Sequence, residues 1–398
     1  MVYLAHGSFW LYLNFFVVNI LALVLSVTFA HMLTKEVYGS YQFILAIGAV
    51  IGALTLSGMN NAVTRAVAQG DEGTVLSSIP VQLRYDFIAS VTAFSIATYY
   101  ALEGNVTLAL GMAAIGLFVP LTNTFNTHIA LLNGRKNFKG VFLFTSLPAA
   151  LYAGTMFGAL FFVKNPAGLV FVNLGTNALL MCVFFFVAIR HYKPNVHTSS
   201  TSITYGKHLS VANIISSAAA QFDALLVFHL LGPVSLAIYS FASTVPEKFG
   251  GLLKGFNVLA LPKFSKRSAL ELQKTLQGKV LRFFLFYVAI AFAYSLAAPF
   301  IFSLLFRQYM DSVLYSQGYA FALAFGSLAS IPLTALVATK AQKQIYLFNT
   351  TSSLISIAFM IVLTVIYGIW GLIAARAITG IINYILVMQL FPNQEVIL

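Results

Sequence analysis

The sequence predicts an all-α polytopic membrane protein, with twelve transmembrane helices in two six-helix halves related by a pseudo-two-fold axis along the membrane normal. Three observations carry this prediction: the composition, a series of long apolar runs and an internal repeat. Hydrophobic residues occupy 60% of the 398 positions and charged residues only 8%, against about 25% charged residues in soluble domains. A soluble fold cannot bury so much apolar surface, because its outside must face water.

Twelve apolar runs are candidates for crossing the hydrocarbon core, which takes about 20 residues of helix. Proline within several of these runs does not argue against them, because neighbouring helices and polar side chains satisfy the released backbone groups. The third run is the shortest. The predicted spans are 8–33, 40–62, 86–102, 106–132, 141–163, 167–189, 209–231, 236–260, 283–304, 313–337, 345–367 and 371–391.

A repeat with an offset of 198 positions divides the chain almost in half. Each half has an even number of predicted spans, so both halves insert with the same orientation, as in carriers built from parallel repeats. The matching pairs are His31 and His229, Leu33 and Leu231, Tyr41 and Tyr239, Phe43 and Phe241, Ala62 and Ala260, and Arg65 and Lys263.

Basic residues predict the orientation and the domain limits. Sixteen of the 22 lysines and arginines lie in or beside loops that follow even-numbered spans, and three lie in loops after odd-numbered spans. Because cytoplasmic loops carry the excess of Lys and Arg, both termini are expected in the cytoplasm. The predicted domains are the bundles 1–189 and 209–398, joined by a Ser/Thr-rich cytoplasmic linker at 190–208.

Charged residues at membrane depth are the main candidates for a functional site. A charge at the bilayer centre costs at least about 2.5–3.5 kcal/mol, so such side chains are expected to face a wet cavity or one another. The alternative is a set of interhelical salt bridges that only hold the bundle together. The equivalent positions of the first half carry no charge, which favours a function. The candidates are Lys248, Lys254 and Arg376 for an anionic substrate, and Asp223 and Glu247 for ion coupling or a charge network.

Three asparagines within spans are weaker candidates for substrate binding: Asn14 on the first span, and Asn123 and Asn126 on the fourth. Their alternative role is interhelical hydrogen bonding, which contributes about 0.6 kcal/mol per bond.

Several classes of protein have no supporting pattern in the sequence. We find no phosphate-binding loop, metal-ligand spacing, catalytic serine motif or Cys/His pair, so neither an enzyme nor a metal or other cofactor is predicted. The single cysteine, Cys182, lies in an apolar run. The net charge of +12 follows from loop charges of a membrane protein and does not indicate nucleic-acid binding.

Two stretches, one in each half, carry short motifs. The first half has Leu33-Thr-Lys-Glu-Val-Tyr-Gly-Ser-Tyr41 and Gly58-Met-Asn-Asn-Ala-Val-Thr-Arg65. The second half has Phe222-Asp223, Leu231-Gly-Pro233, Tyr239-Ser-Phe241 and Leu261-Pro262. These motifs resemble those of the oligosaccharide flippases of the multidrug/oligosaccharidyl-lipid/polysaccharide superfamily, which includes O-antigen flippases.

The resemblance implies a flippase in a bacterial cytoplasmic membrane that moves an undecaprenyl-diphosphate-linked oligosaccharide by alternating access. The implied substrate is an O-antigen or exopolysaccharide repeat unit, held in a cationic cavity. Implied partners are membrane lipids and the polymerase and chain-length proteins of the glycan pathway. Three alternatives stay open: an ion-coupled multidrug antiporter of the same superfamily, a major-facilitator-type carrier, and a membrane-embedded polymerase or ligase.

Overall fold

The structure is a computed structural model that describes residues 2–264, 269–338 and 342–390. Within these ranges the side chains of 2–6, 8, 212, 215–216, 249–264, 269–275, 338 and 342 are not described. The described ranges are helical and contain no strand. They form two compact units, of which the first runs to Gln221 and the second begins at Phe222.

The first unit contains eight complete helices and the beginning of a ninth. Asparagine side chains cap α5, α7 and α8, each accepting a hydrogen bond from the backbone N–H three residues later, and such caps stabilise a helix start by about 1 kcal/mol. The helices are α1 Val2–Met32, α2 Lys35–Gly52, α3 Met59–Ala68, α4 Thr74–Leu102, α5 Val106–Phe125, α6 Thr127–Gly134, α7 Phe138–Phe162 and α8 Pro166–Tyr192.

The second unit contains most of α9, then α10, a short 3₁₀ helix, α11, α12 and α13. Two of these helices are interrupted by a glycine in the left-handed region, Gly232 with φ 85° and Gly368 with φ 60°. A side chain would strain this backbone, so glycine permits the chain to turn between two crossings there. The elements are α9 Ser200–Phe264, α10 Ala269–Leu305, the 3₁₀ helix Arg307–Ser312, α11 Val313–Ser327, α12 Ser330–Ala338 and α13 Gln342–Gln389.

The observed helices follow the predicted spans in order and differ from them at the ends. In the described ranges, eight helical stretches are long and apolar enough to cross a membrane. Two of them, Ser217–Lys248 and Lys343–Gln389, contain the glycine turns and hold two predicted spans each. Two predicted spans remain. The second, 40–62, corresponds to α2 and α3 together, and the third, 86–102, corresponds to α4. Hydropathy detects only the apolar part of a helix, so the sequence prediction leaves out the polar helical turns at its ends.

Spans two, three, four and ten show the clearest differences from the sequence prediction. Residues 53–58 separate α2 from α3, and α4 begins twelve residues before the predicted 86. The fourth span breaks at Asn126, between α5 and α6. The tenth breaks between α11 and α12. These interruptions lie inside apolar sequence, and hydropathy therefore gives no sign of them.

The repeat is visible in local structure in both units. The Nδ1 atom of His31 hydrogen-bonds the Val27 carbonyl at 2.8 Å, and His229 makes the same bond to Leu225 at 2.9 Å. The predicted linker 190–208 contains the start of α9, and this part of α9 packs on the first unit. There the Gly58 N–H donates to the Ser210 hydroxyl at 2.9 Å.

A salt bridge ties three loop-proximal segments of the first unit together. Arg135 donates two hydrogen bonds of 2.6 Å to the carboxylate of Glu72 and a third, of 2.8 Å, to the Tyr192 carbonyl. The Asn195 backbone N–H donates to the same carboxylate at 3.0 Å. We call this set of four residues the loop clasp. It fixes the end of α8 against the turn between α3 and α4.

Candidate functional site

The charged candidates of the second unit meet around one ion pair. The Arg376 guanidinium, on the second segment of α13, donates from Nη2 to the Oδ2 atom of Asp223, on the first segment of α9. The two side chains are 27% and 11% exposed. A pair this enclosed is screened less by water than a surface pair. Two of the predicted residues are therefore direct partners.

Further donors hold the Asp223 carboxylate in place. The Tyr239 hydroxyl donates to Oδ2 at 2.6 Å, and the Ala224 backbone N–H donates to Oδ1 at 2.8 Å. Both oxygens of Asp223 are thus hydrogen-bonded even without Arg376. The position of the carboxylate therefore does not depend on Arg376 alone.

Tyr319 connects Glu247 to this ion pair. Its hydroxyl donates to Glu247 Oε1 at 2.5 Å, and its ring lies 5.2 Å from the Arg376 guanidinium carbon. The ring also packs edge-on against Tyr239, with centroids 6.0 Å apart. Asp223, Tyr239, Glu247, Tyr319 and Arg376 together form what we call the charged cluster.

Arg376 retains unused donor capacity in this cluster. Its Nε atom is buried and has no hydrogen-bond partner within the ranges that the structure describes. A buried N–H without an acceptor costs about 1–3 kcal/mol. The Nε–H group of Arg376 is therefore a donor that no described residue uses.

The two predicted lysines are placed differently. Lys248 is exposed beside Glu247, whereas the side chain of Lys254 lies outside the described residues, although its backbone continues α9. Among described side chains, two carboxylates face one guanidinium and one ammonium. The local charge is balanced, and the predicted positive excess depends on Lys254.

Asn123 lines a cavity of about 360 Å³ in the first unit, a volume in the range of small-molecule sites. Its amide donates to the Thr55 hydroxyl at 2.9 Å. We call this space the amide cavity, and no ionisable side chain lines it within the described residues. It is bounded by parts of α2, α5, α8 and α9: Leu45, Gly48, Ala49, Gly52, Ala53, Ser57, Val119, Thr122, Asn123, Leu174, Asn177 and Ser217.

The other two predicted asparagines lie apart from this cavity. Asn14 accepts a hydrogen bond of 3.0 Å from the Ser146 hydroxyl and so connects α1 to α7. Asn126 occupies the break between α5 and α6, and its side chain does not cap α6. For Asn14 the contact matches the interhelical alternative raised from the sequence.

Asp86 is a buried carboxylate that the sequence prediction missed. It is only 2% exposed, in the middle of α4, and accepts a hydrogen bond on Oδ2 from Thr124. Its Oδ1 atom has no partner among the described residues. The predicted span begins at Asp86 and therefore places this residue at the end of a helix. Only the true start of α4, at Thr74, shows its depth.

Comparison with solved structures defines the fold. An inward-facing multidrug resistance MATE family transporter of the MOP superfamily aligns over 94% of this chain and 94% of its own, with a TM-score of 0.66 and 13% identity. The lipid II flippase MurJ, in an inward closed conformation, aligns over 95% of this chain and 86% of its own, with a TM-score of 0.63 and 15% identity. A MOP superfamily transporter from Pyrococcus furiosus aligns over 96% of this chain and 93% of its own, with a TM-score of 0.53 and 14% identity. The chain therefore has this superfamily's fold, with twelve transmembrane helices in two halves.

The family follows from a sequence match. A family model described as polysaccharide biosynthesis protein matches residues 4–268, about two thirds of the chain. The chain belongs to this family, which confirms the resemblance found in 33–65 and 222–262. A comparison with curated protein sequences gives no match. The family assignment leaves the major-facilitator alternative without support.

Proposed function

We propose that this protein is a flippase for lipid-linked oligosaccharide, which carries an undecaprenyl-diphosphate-linked repeat unit across the bacterial cytoplasmic membrane by alternating access. Membership of the polysaccharide biosynthesis family and the fold shared with a lipid II flippase support this class of substrate. The repeat unit is of the O-antigen or exopolysaccharide type. Both termini are cytoplasmic under the charge distribution of the loops.

The observation that carries the proposal is the Arg376 guanidinium, half-buried and paired with Asp223 while its Nε lacks a partner. Phosphate oxygens are strong acceptors for guanidinium and bind it in a bidentate manner. A diphosphate therefore satisfies Nε and competes with Asp223 for the remaining N–H groups. Asp223 keeps its hydrogen bonds from Tyr239 and Ala224. Both of its oxygens therefore remain hydrogen-bonded when Arg376 moves to the diphosphate.

The neutral chemistry of the amide cavity suits the sugar part of the substrate. Its amides and hydroxyls, from Asn123, Asn177 and Thr122 among others, donate and accept hydrogen bonds without adding charge. Sugar hydroxyls have the same dual capacity. We assign Asn123 to sugar contact and Arg376 to diphosphate contact, with Lys248 and Lys254 as further cationic residues of the same substrate path.

Energy for transport comes from an ion gradient or the substrate gradient in this proposal. Asp223 and Glu247 are the groups proposed for ion coupling, because both accept hydrogen bonds from tyrosines that surround Arg376. A cation that binds either carboxylate changes the competition for the guanidinium. The glycan polymerase and chain-length proteins are the proposed partners downstream.

Reconstitution tests this function directly. Proteoliposomes receive undecaprenyl diphosphate carrying one N-acetylglucosamine on the inner leaflet, and an external glycosyltransferase reports sugar that reaches the outside. We expect rapid exposure of the sugar with the wild-type protein and at least about tenfold slower exposure with Arg376→Gln, since a charge-assisted hydrogen bond is lost.

A second assay addresses the multidrug antiporter. The same vesicles are loaded with the cationic dye ethidium under an imposed proton or sodium gradient. Movement of dye without movement of the lipid-linked sugar would overturn the flippase proposal and favour the antiporter. Movement of the sugar alone supports the flippase.

A further inference from the structure

A second cavity of the first unit has a lining that differs from the amide cavity. It measures about 310 Å³ and lies between α1, α2, α7 and α8. Three tyrosines, two amides and one serine supply its polar surface, and we call it the tyrosine cavity. These polar side chains are Ser26, Tyr38, Tyr41, Gln42, Tyr152 and Asn173.

The polar groups of the tyrosine cavity form short chains of hydrogen bonds. Gln42 donates to the Tyr38 hydroxyl at 2.6 Å, and Asn173 donates to the Tyr41 hydroxyl. The Tyr152 side chain lines the same cavity together with Tyr41 and Asn173. Each primary amide has two N–H groups and an acceptor oxygen. Within the described residues Gln42 uses one N–H in this way, which leaves its carbonyl oxygen available to a ligand.

No charged side chain lines this cavity within the described residues. A phosphate would find no cationic partner there. Aromatic faces of Phe29, Tyr38 and Tyr152 together with amides instead suit a ligand that has apolar C–H faces and several hydroxyls. A pyranose ring has both features.

The internal repeat relates this cavity to the charged cluster. Tyr41 matches Tyr239 under the offset of 198, and Leu25, which also lines the cavity, matches Asp223. Two positions of the neutral cavity lining, Leu25 and Tyr41, are therefore equivalent to the carboxylate Asp223 and its hydrogen-bond donor Tyr239 in the second unit.

We propose that the tyrosine cavity is a second saccharide subsite, which binds a sugar residue of the glycan distal to the one held in the amide cavity. Asn173 and Asn177 lie four residues apart on α8, one helical turn, and line the tyrosine cavity and the amide cavity respectively. A glycan chain can thus pass from one amide to the next. This inference rests on the flippase proposed above and adds a dependence on glycan length.

The test compares two lipid-linked probes in the proteoliposome assay: undecaprenyl diphosphate carrying one N-acetylglucosamine, and the same lipid carrying a tetrasaccharide that begins with that sugar. The variants are Tyr152→Phe, which removes one hydroxyl, and Gln42→Leu, which removes one amide of similar size. Tyr99→Phe is the control, because Tyr99 is 58% exposed on α4 and lies outside the cavity.

We expect each variant to slow transport of the tetrasaccharide probe about two- to tenfold, the effect of one hydrogen bond, and to leave the single-sugar probe unchanged. The single-sugar arm also reports whether each variant is folded. Equal slowing of both probes, no slowing of either, or a wild-type protein that moves only the single-sugar probe would each overturn the subsite. A wild-type protein that moves neither probe would overturn the flippase proposal itself, and the subsite with it.

Discussion

Arg376 and Asp223 are ion-pair partners contributed by α13 and α9, the last and first helices of the second unit. They are separated by 153 positions in the sequence, and their equivalents in the first half, Ala178 and Leu25, are uncharged. The pair is therefore a feature of one half and not a requirement of the repeated architecture. Its role in stability can be separated from its role in transport.

Removing one member of this pair is expected to cost more stability than removing both. Arg376→Gln leaves the Asp223 carboxylate partly buried without its cation, which destabilises the protein by about 1–3 kcal/mol. In the double variant Asp223→Asn/Arg376→Gln neither charge is left alone, so thermal stability recovers toward the wild type. Thermal unfolding in detergent measures this.

Transport by the wild type, Arg376→Gln and the double variant is not expected to follow their order of stability. The flippase proposal predicts that the double variant stays defective toward the lipid-linked probe, because the phosphate ligand Arg376 is still absent. Recovery of both stability and transport in the double variant would mean that the pair only holds helices together.

Asn123→Leu and Asn14→Leu form a matched pair of predictions within the first unit. Each substitution keeps the volume of the side chain and removes one interhelical hydrogen bond, to Thr55 or to Ser146. Both should lower stability by about 0.5–1.5 kcal/mol. Asn123 lines the amide cavity and Asn14 does not, so only Asn123→Leu should slow transport of the single-sugar probe. Equal transport defects would argue against a binding role for the amide cavity.

Much of this architecture could be predicted from apolar runs. The features that could not be predicted share a physical cause, which is that hydropathy does not detect them. Hydropathy finds the part of a helix that contacts lipid, so it located the spans and their order. It is insensitive to breaks inside apolar sequence, such as Asn126, and to polar helical extensions such as Thr74 to Arg84. The depth of Asp86 was lost for that reason.

The residues of the candidate site also divide into those that the sequence reveals and those that it does not. Asp223, Glu247 and Arg376 stood out because isolated charges in apolar runs are rare and costly. Tyr319 could not be found in this way, because tyrosine is common in membrane helices and its contact with Glu247 spans 72 positions. The tyrosine cavity is equally hidden, since its lining comes from four helices and each residue is ordinary on its own.

Asp86→Asn is expected to raise thermal stability at neutral pH. The wild-type carboxylate is buried and has one oxygen without a partner in the described part of the chain, and an unpaired buried charge is costly. Asparagine keeps an acceptor for the Thr124 hydroxyl. The control Thr124→Val removes that donor and should destabilise by about 1–3 kcal/mol. A less stable Asp86→Asn would show that the carboxylate has a cationic partner.

The loop clasp predicts a pH-dependent contribution to stability. Hydrogen bonds from Arg135 hold the pKa of Glu72 below its ordinary value, against the opposing effect of partial burial, and the Asn195 N–H adds to the lowering. Because the pKa is lowered on folding, the stabilisation is present above the ordinary pKa and is lost as the pH falls through the folded one. Glu72→Gln should therefore lower the Tm by a constant amount between about pH 6 and 8, well above the ordinary Glu pKa of about 4.3, and the difference should shrink below about pH 4. Glu103→Gln, exposed at the end of α4, should show no such trend. A Tm difference for Glu72→Gln that persists unchanged at about pH 3 would mean that packing of the segment, and not its charge, provides the stability.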